Sequence, residues 1–333
     1  MSTHGRSRLL IALRIRSGMT ALFASFFALV LVPAHAVAYP TKSVRFVVAF
    51  SAGGITDIVA RYIGQKLSER LGQSFFIDNR PGAGGATAAA FVSAAEPDGY
   101  TLLFTTAGIA IRAVSAERAL DPRTQLTPVV FPASTPSIWG VNSSVTNQGM
   151  MEYLRSRKDQ SFTYGSPGVG TLEHLTSEYL FKATAGLQSI HVPFQGGTTA
   201  VNAALGHQID LVATAMPTTA ALIQDGKIRI VAVASRERMP QLPDAPTLRE
   251  AGFPDVESAS WVALFAPPNT PRPVVELLNK GVNEAIADPE LRARLISLGF
   301  NTHTRSVDET GEYLAKELAR WREITKTVGY SLK

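Results

Sequence analysis

The stretch Phe50-Ser51-Ala52-Gly53-Gly54-Ile55-Thr56-Asp57 decides the fold, because it joins a strand pattern to a helix pattern. Apart from Arg45, residues 44–50 are continuously apolar, as expected for a parallel strand that is buried on both faces. Over residues 58–71 the apolar positions recur at helical spacing. The same alternation of strand and helix signals continues after this turn and predicts a parallel sheet with right-handed crossovers.

This strand-to-helix turn also predicts a small anion-binding site. Gly53 and Gly54 let a ligand approach the backbone without meeting a Cβ, and the first-turn N–H groups of the helix point into the gap. No Lys or Arg lies between Phe46 and Ala60, so a bound anion would meet amides, hydroxyls and the helix dipole. Asp57 is expected to cap the first turn. On this stretch alone, an ordinary turn without a ligand is an equal alternative.

Two further glycine-rich turns precede helices, at residues 164–171 and 192–199. The first offers the hydroxyls of Ser166 and Thr171 as donors. His174 follows one turn later, where a structural role is favoured over a ligand contact. Three such turns at the carboxyl ends of strands are typical of the lining of a cleft. The predicted ligand-binding residues are Ser51, Ala52, Gly53, Gly54, Thr56, Asp57, Ser166, Gly168, Val169, Gly170, Thr171, His174 and Gly197.

The sequence lacks the motifs of several common enzyme classes. There is no Cys, and hence no thiol nucleophile. Ser166 does not lie in a G-x-S-x-G elbow, the His residues form no H-E-x-x-H motif, and residues 82–87 lack the third Gly of a dinucleotide fingerprint. An acid–base pair of Asp57 and Asp210 is disfavoured, because Asp57 is placed to cap the first turn of its helix. We therefore predict no catalytic residue, no cofactor and no bound metal.

The first 38 residues have the pattern of a secretory signal peptide. Four Arg residues precede or flank a short apolar run at residues 19–32, and small-x-small sequences lie just before Tyr39. We expect export through the Sec route, cleavage near Ala38 and a periplasmic location. Removal of the four Arg residues lowers the formal charge from +5 to +1, so the mature chain has no electrostatic footprint for nucleic acid.

The remaining length suits two α/β lobes. We predict one lobe from residues 39–137 together with 262–333, and a second from residues 138–261. Two strands are predicted to cross between the lobes, with a ligand cleft and a hinge at the crossings. Three helices with strong capping signals, beginning near Thr270, Asp288 and Ser306, are predicted at the end of the chain.

These residues resemble the Bug family, the periplasmic solute receptors of tripartite tricarboxylate transporters. The resemblance implies the two-lobed, type II periplasmic binding fold (Venus flytrap) and binding without catalysis. It also implies that residues 51–57 and 166–171 hold the ligand carboxylate. Ser51, Ile55 and Arg112 depart from the usual family residues, and a surface role for Arg112 is favoured over a ligand contact. The matching segments are VRFVVAFSAGGITDIVAR from Val44, NRPGAGG from Asn79, PDGYTLL from Pro97, YGSPGVGT from Tyr164, HVPFQGG from His191, LPDAPTLREAGFP from Leu242 and SWVALFAPPNTPRPVVELLN from Ser260.

The predicted function is that of a monomeric periplasmic protein that captures a small carboxylate. The ligand is expected to be a di- or tricarboxylate or a similar organic acid, delivered to the membrane subunits of a tripartite tricarboxylate transporter. One alternative is a periplasmic sensor that presents its closed form to a signalling partner. A secreted hydrolase is a weaker alternative, because it needs a nucleophile and a base within reach of one another.

Overall fold

A computed structural model describes residues 39–117, 119–145, 152–154, 161–253, 256–327 and 329–331. The predicted signal peptide and its cleavage site lie outside these residues. The predicted alternation of strands and helices is present from Val44 onward. The first elements are β1 (Val44–Val48), α1 (Ile55–Leu71), β2 (Phe75–Asn79), α2 (Ala86–Ser93), β3 (Thr101–Thr106) and α3 (Gly108–Ser115).

The strand β1 lies at the centre of the first half of the sheet. It pairs in parallel with β2 on one side and β3 on the other. Its residues are almost completely buried, which explains the unbroken apolar run in the sequence. Phe46 packs edge-on against Phe75 and Phe104 from the two neighbouring strands, with ring centroids 5.2 and 4.9 Å away. This packing fixes the carboxyl end of β1, from which the glycine turn leaves.

The long strand β4 (Thr127–Asn142) takes part in both halves of the sheet. Its first part pairs antiparallel with β9 (Ala259–Ala266), and from Ser137 onward it pairs with β7 (Leu211–Ala215) and β8 (Ile228–Val233). The strand β4 therefore changes its pairing partners at Ser137.

The second half of the sheet repeats the pattern of the first. Its strands β5 (Phe162–Ser166) and β6 (Ser189–Pro193) are parallel to each other, and β5 is also parallel to β7. The complete order of the main path is β2-β1-β3-β9-β4-β7-β5-β6. The helices of this half are α4 (Leu172–Glu178), which continues as a π-helical segment (Tyr179–Thr184), α5 (Gly197–Leu205) and α6 (Ala220–Gln224).

The chain then returns to the first half and ends in the three predicted helices. They are α7 (Arg272–Ala287), α8 (Pro289–Ser297) and α9 (Val307–Thr327), with the short strand β10 (Asn301–Thr302) before the last. The caps follow the sequence signals. Asp288 accepts from the Leu291 amide, and Ser306 and Glu309 form a reciprocal capping box.

The apolar stripe of α9 packs into the core of the first half. Leu314, Leu318 and Trp321 are buried there, and the indole of Trp261 on β9 donates to Glu317 at 2.9 Å. Within the described ranges, no helix is long and apolar enough to cross a membrane.

Candidate ligand-binding site

A narrow, partly open cavity lies where the two halves of the sheet face each other. Its free volume is about 20 Å³, and about 340 Å³ when all the space that opens to solvent is counted. Its wall contains the glycine turn that follows β1 and the start of the loop that follows β5. The first half contributes Phe50, Gly54, Ile55, Thr56, Thr106 and Ser260, and the second half contributes Pro167, Thr171, Glu173, Gly197, Thr214, Ala215 and Thr218.

The turns from the two halves are in direct contact. The backbone N–H of Ser51 donates to the carbonyl oxygen of Gln195 at 3.0 Å. At a second contact, a Cβ built on Gly84 would lie 2.3 Å from the carbonyl oxygen of Val169. Gly84 also has a φ of 60°, in the left-handed region that favours glycine. The approach of these two loops therefore depends on the missing side chain at Gly84.

The N-terminus of α1 presents unused hydrogen-bond donors to the cavity. Its N-cap residue, Gly54, has no side chain to satisfy the first-turn amides. Thr56 is completely buried and lines the cavity, yet its hydroxyl has no hydrogen-bond partner among the described residues. The hydroxyls of Ser51, in the glycine turn, and of Thr198, in the first turn of α5, are likewise unpartnered in the described part of the chain. A buried polar group without a protein partner is unusual and calls for a bound ligand, ion or water to satisfy it.

Asp57 does not line the cavity but holds the turn in place. Its carboxylate accepts from the Gly53 amide at 2.9 Å, from Arg61 at 2.8 and 3.0 Å, and from Asn79 at 3.0 Å. Asn79 donates in addition to the carbonyl oxygen of Phe50 at 3.0 Å. Burial alone would raise the pKa of Asp57, but the hydrogen bonds from Arg61, Gly53 and Asn79 outweigh burial and lower it. Asp57 is therefore ionised, and its hydrogen bond fixes the orientation of the Gly53 amide.

The hydroxyls of the second predicted loop are engaged within the loop itself. Thr171 donates to the carbonyl oxygen of Gly168 at 2.8 Å and accepts from the His174 amide. Ser166 is completely buried behind the cavity wall, 2.7 Å from Nε2 of His191 and 3.2 Å from both the amide and the carbonyl of Gly168. These contacts shape the loop and leave neither hydroxyl proton free for a ligand.

The stacked imidazole rings of His174 and His191 pack against this loop, outside the cavity lining. The rings of His174 and His191 lie 4.0 Å apart between centroids, and His191 also stacks on Tyr164. The Gly170 amide donates to Nδ1 of His174 at 3.2 Å, which places the proton of the neutral ring on Nε2. Burial lowers the pKa of His174 to about 4 and that of His191 to about 3. Both rings are therefore neutral near pH 7.

Sequence reasoning missed two features of the wall. Glu173 lies in the first turn of α4, where an acidic residue is expected simply because it interacts favourably with the helix dipole. In the structure, however, Glu173 is buried and lines the cavity. Thr214 and Thr218 come from β7 and the turn after it and contact each other at 2.9 Å. Burial raises the pKa of Glu173 to about 7, against the hydrogen bonds from its own amide and from the Thr171 side chain. Glu173 is the single ionisable residue among the described residues of the lining.

The structure brings the predicted residues together to different degrees. Gly54, Thr56, Thr171 and Gly197 line the cavity. Gly168 and Val169 meet Gly84 at the contact between the halves, and Gly170 lies close to Gly108. Ala52 and Gly53 are exposed on the turn. Ser51 touches the Gln195–Gly196 segment, while Asp57, Ser166 and His174 lie behind the wall. Arg112 borders a separate cavity beside Gly84 and the start of α2.

We expect the free energy of unfolding to fall as the pH is lowered from about 6.5 to about 4. The pKa of His174 is lower in the folded protein, about 4, than the ordinary value of 6.5, so the unfolded chain binds more protons in this window. The lowered pKa of His191 also makes the protein less stable as the pH falls. The raised pKa of Glu173 has the opposite effect below about pH 7, because the folded protein then binds the extra proton. Denaturant titrations at pH 7, 6 and 5 should show the fall.

The variant His174→Gln isolates one of these contributions. Its carbonyl oxygen can still accept from Gly170 but does not titrate. The slope of stability against pH should therefore drop by about one proton relative to wild type. An unchanged slope would show that His174 is not held neutral by its surroundings.

Comparison with known proteins gives one consistent result. A family model described as "Tripartite tricarboxylate transporter family receptor" matches residues 59–330. The periplasmic binding protein BugD has a TM-score of 0.82 at 29% identity, covering 89% of this chain and all of that one. A Rhodopseudomonas palustris protein solved with adipate has a TM-score of 0.83 at 33% identity, with coverage of 88% and 99%. MatC from Rhodopseudomonas palustris, solved with bound malate, gives 0.79 at 30% identity, with coverage of 86% and 99%.

Proposed function

This chain belongs to the tripartite tricarboxylate transporter receptor family, and from that premise we propose that it captures a small carboxylate in the cavity between its two lobes. The unpartnered hydroxyl of Thr56 carries the proposal. It is completely buried, it faces the cavity, and it lies in the first turn of a helix whose N-cap is a glycine. A carboxylate would accept from this hydroxyl and from the first-turn amides, and the helix dipole favours its negative charge.

Solved relatives support the same ligand class. Two proteins of similar fold, at 33% and 30% identity, were solved with adipate and with malate, which are both carboxylates. In this chain we propose that Ser51, Gly54, Thr56 and Gly197 contact the ligand directly. Residues 166–171 and Asp57 would act by holding the turns at the right distance. If the lobe boundaries proposed from the sequence hold, the hinge lies in the two crossing strands, β4 and β9.

We further propose that the protein acts in the periplasm, as a monomer that delivers its ligand to integral-membrane transporter subunits and has no catalytic activity. The signal-peptide pattern of residues 1–38 supports export. The hydrolase alternative is disfavoured even though Ser166 lies 2.7 Å from His191. Ser166 is completely buried and does not line the cavity, so a substrate carbonyl cannot reach its hydroxyl.

Isothermal titration calorimetry on the exported full-length gene product tests this proposal. We expect saturable binding by at least one member of a panel of mono-, di- and aminocarboxylates, and none by a sugar of similar size or by Mg²⁺. Binding should depend only weakly on salt, because no cationic side chain is among the described residues of the lining. Binding of the sugar or the cation, with no response to any carboxylate, would contradict the proposal.

A further inference from the structure

The cavity wall has hydrogen-bond donors on one side and acceptors on the other. We propose that Glu173, on the acceptor side, selects the ligand: a small carboxylic acid whose far end carries a hydrogen-bond donor, above all an amine, rather than a second carboxylate. This inference rests on the proposed function, since it assumes that one carboxylate is held at α1.

The donor side is formed by the start of α1. The amides of its first turn have no side-chain cap, and the hydroxyl of Thr56 is buried without a partner in the described structure. Both kinds of group donate toward the cavity, so this side accommodates one anionic end of a ligand.

The acceptor side follows from where each hydroxyl proton goes. Thr218 donates its proton to the carbonyl oxygen of Ala215 at 2.7 Å. The 2.9 Å contact between Thr214 and Thr218 must then use the proton of Thr214. The hydroxyl proton of Thr171 is likewise used within the protein, because this hydroxyl is hydrogen-bonded to the carbonyl oxygen of Gly168 and to the carboxyl group of Glu173. These three threonines therefore offer only oxygen lone pairs to a ligand.

Glu173 adds a carboxyl group to this acceptor-rich wall. Only 4% of its surface is exposed, and no cationic side chain shares the described lining with it. On its own helix, His174 is turned to His191 and Gly170, and Glu178 is engaged by Tyr164 at 2.6 Å and by Lys182. Burial disfavours the ionised form of Glu173 and raises its pKa to about 7.

A ligand that fits both sides therefore has a carboxylate at one end and a hydrogen-bond donor, such as an ammonium group, at the other. An ammonium group would stabilise the ionised form of Glu173 and donate to the surrounding threonine oxygens. A second carboxylate would face lone pairs and a like charge among buried residues. Binding of an amine should consequently release a proton near pH 7, whereas binding of a dicarboxylate should take one up.

The test compares equal-length pairs of acids on the exported protein. Each ω-amino acid of three to six carbons is titrated beside the dicarboxylate of the same length, for example 4-aminobutyrate beside succinate. We expect at least one ω-amino acid to bind about tenfold or more tightly than its partner at pH 7. Repeating the titration in buffers of different ionisation enthalpy should show proton release.

The variant Glu173→Gln should remove most of that preference while dicarboxylate binding improves. Glu290→Gln serves as the matched control, because Glu290 also lies in the first turn of a helix but is exposed and outside the cavity lining. Equal or tighter binding of the dicarboxylates by wild type, or an unchanged ratio in Glu173→Gln, would overturn the inference while leaving carboxylate capture intact. Failure of every carboxylate to bind would overturn the proposed function and this inference with it.

Discussion

Replacement of Gly84 by alanine should weaken carboxylate binding about ten- to a hundredfold. The new Cβ would lie 2.3 Å from the carbonyl oxygen of Val169, and a backbone oxygen cannot rotate away as a flexible side chain can. The overlap is relieved only if the loops from the two halves move apart. Overpacking of this kind costs about 1–3 kcal/mol, and it destabilises the form of the protein in which the two loops are in contact. Calorimetric titration of the variant with a ligand of the wild type measures the loss.

A matched substitution separates this obstruction from backbone strain. Gly186 has a φ of 61°, nearly that of Gly84, but a Cβ there would meet nothing within 4 Å. Gly186→Ala therefore carries the same left-handed strain without the collision, and its ligand affinity should stay close to wild type. If both variants bound equally well, the contact between Gly84 and Val169 would have no part in binding.

The fold was predictable from the sequence because its signals are local. The apolar run of β1, the glycine turn and the caps of the last three helices lie where the patterns place them. The predicted α/β periplasmic-binding fold and the Bug family resemblance are confirmed by the family model and by the similarity to BugD. The short helix α3 was not predicted, because the Gly108–Ser115 segment follows β3 without a cap or a breaker.

The details of the site were less predictable, because a sequence shows which groups can donate but not which partners use them. Ser166 and Thr171 have the expected chemistry, yet Gly168 and His191 occupy their hydroxyls. Asp57 was expected to cap its helix and instead joins Gly53 to Arg61 and Asn79. These competing contacts arise only when segments distant along the chain are brought together. The role of Glu173 depends in the same way on burial by both halves.

Replacement of Thr56 by valine should change ligand binding and stability in opposite directions. Valine keeps the shape of the side chain but removes the hydroxyl, which is buried without a partner in the described structure. Burial of an unpaired hydroxyl costs about 1–3 kcal/mol, so the ligand-free variant should be more stable than wild type by an amount in that range. The lost hydrogen bond to a carboxylate is worth about 1.5–3 kcal/mol, which predicts about ten- to a hundredfold weaker binding.

The conservative variant Thr56→Ser tests whether the hydroxyl itself is responsible. Serine retains the donor and loses only a methyl group, so its affinity should lie much closer to wild type than that of the valine variant. Denaturant unfolding without ligand and calorimetry with ligand give the two readouts independently. A hydroxyl with a purely structural role would make Thr56→Val less stable and leave binding unchanged, because its removal would then break an internal hydrogen bond. Gain of stability together with loss of affinity is expected only if this hydroxyl is kept unpaired for the ligand.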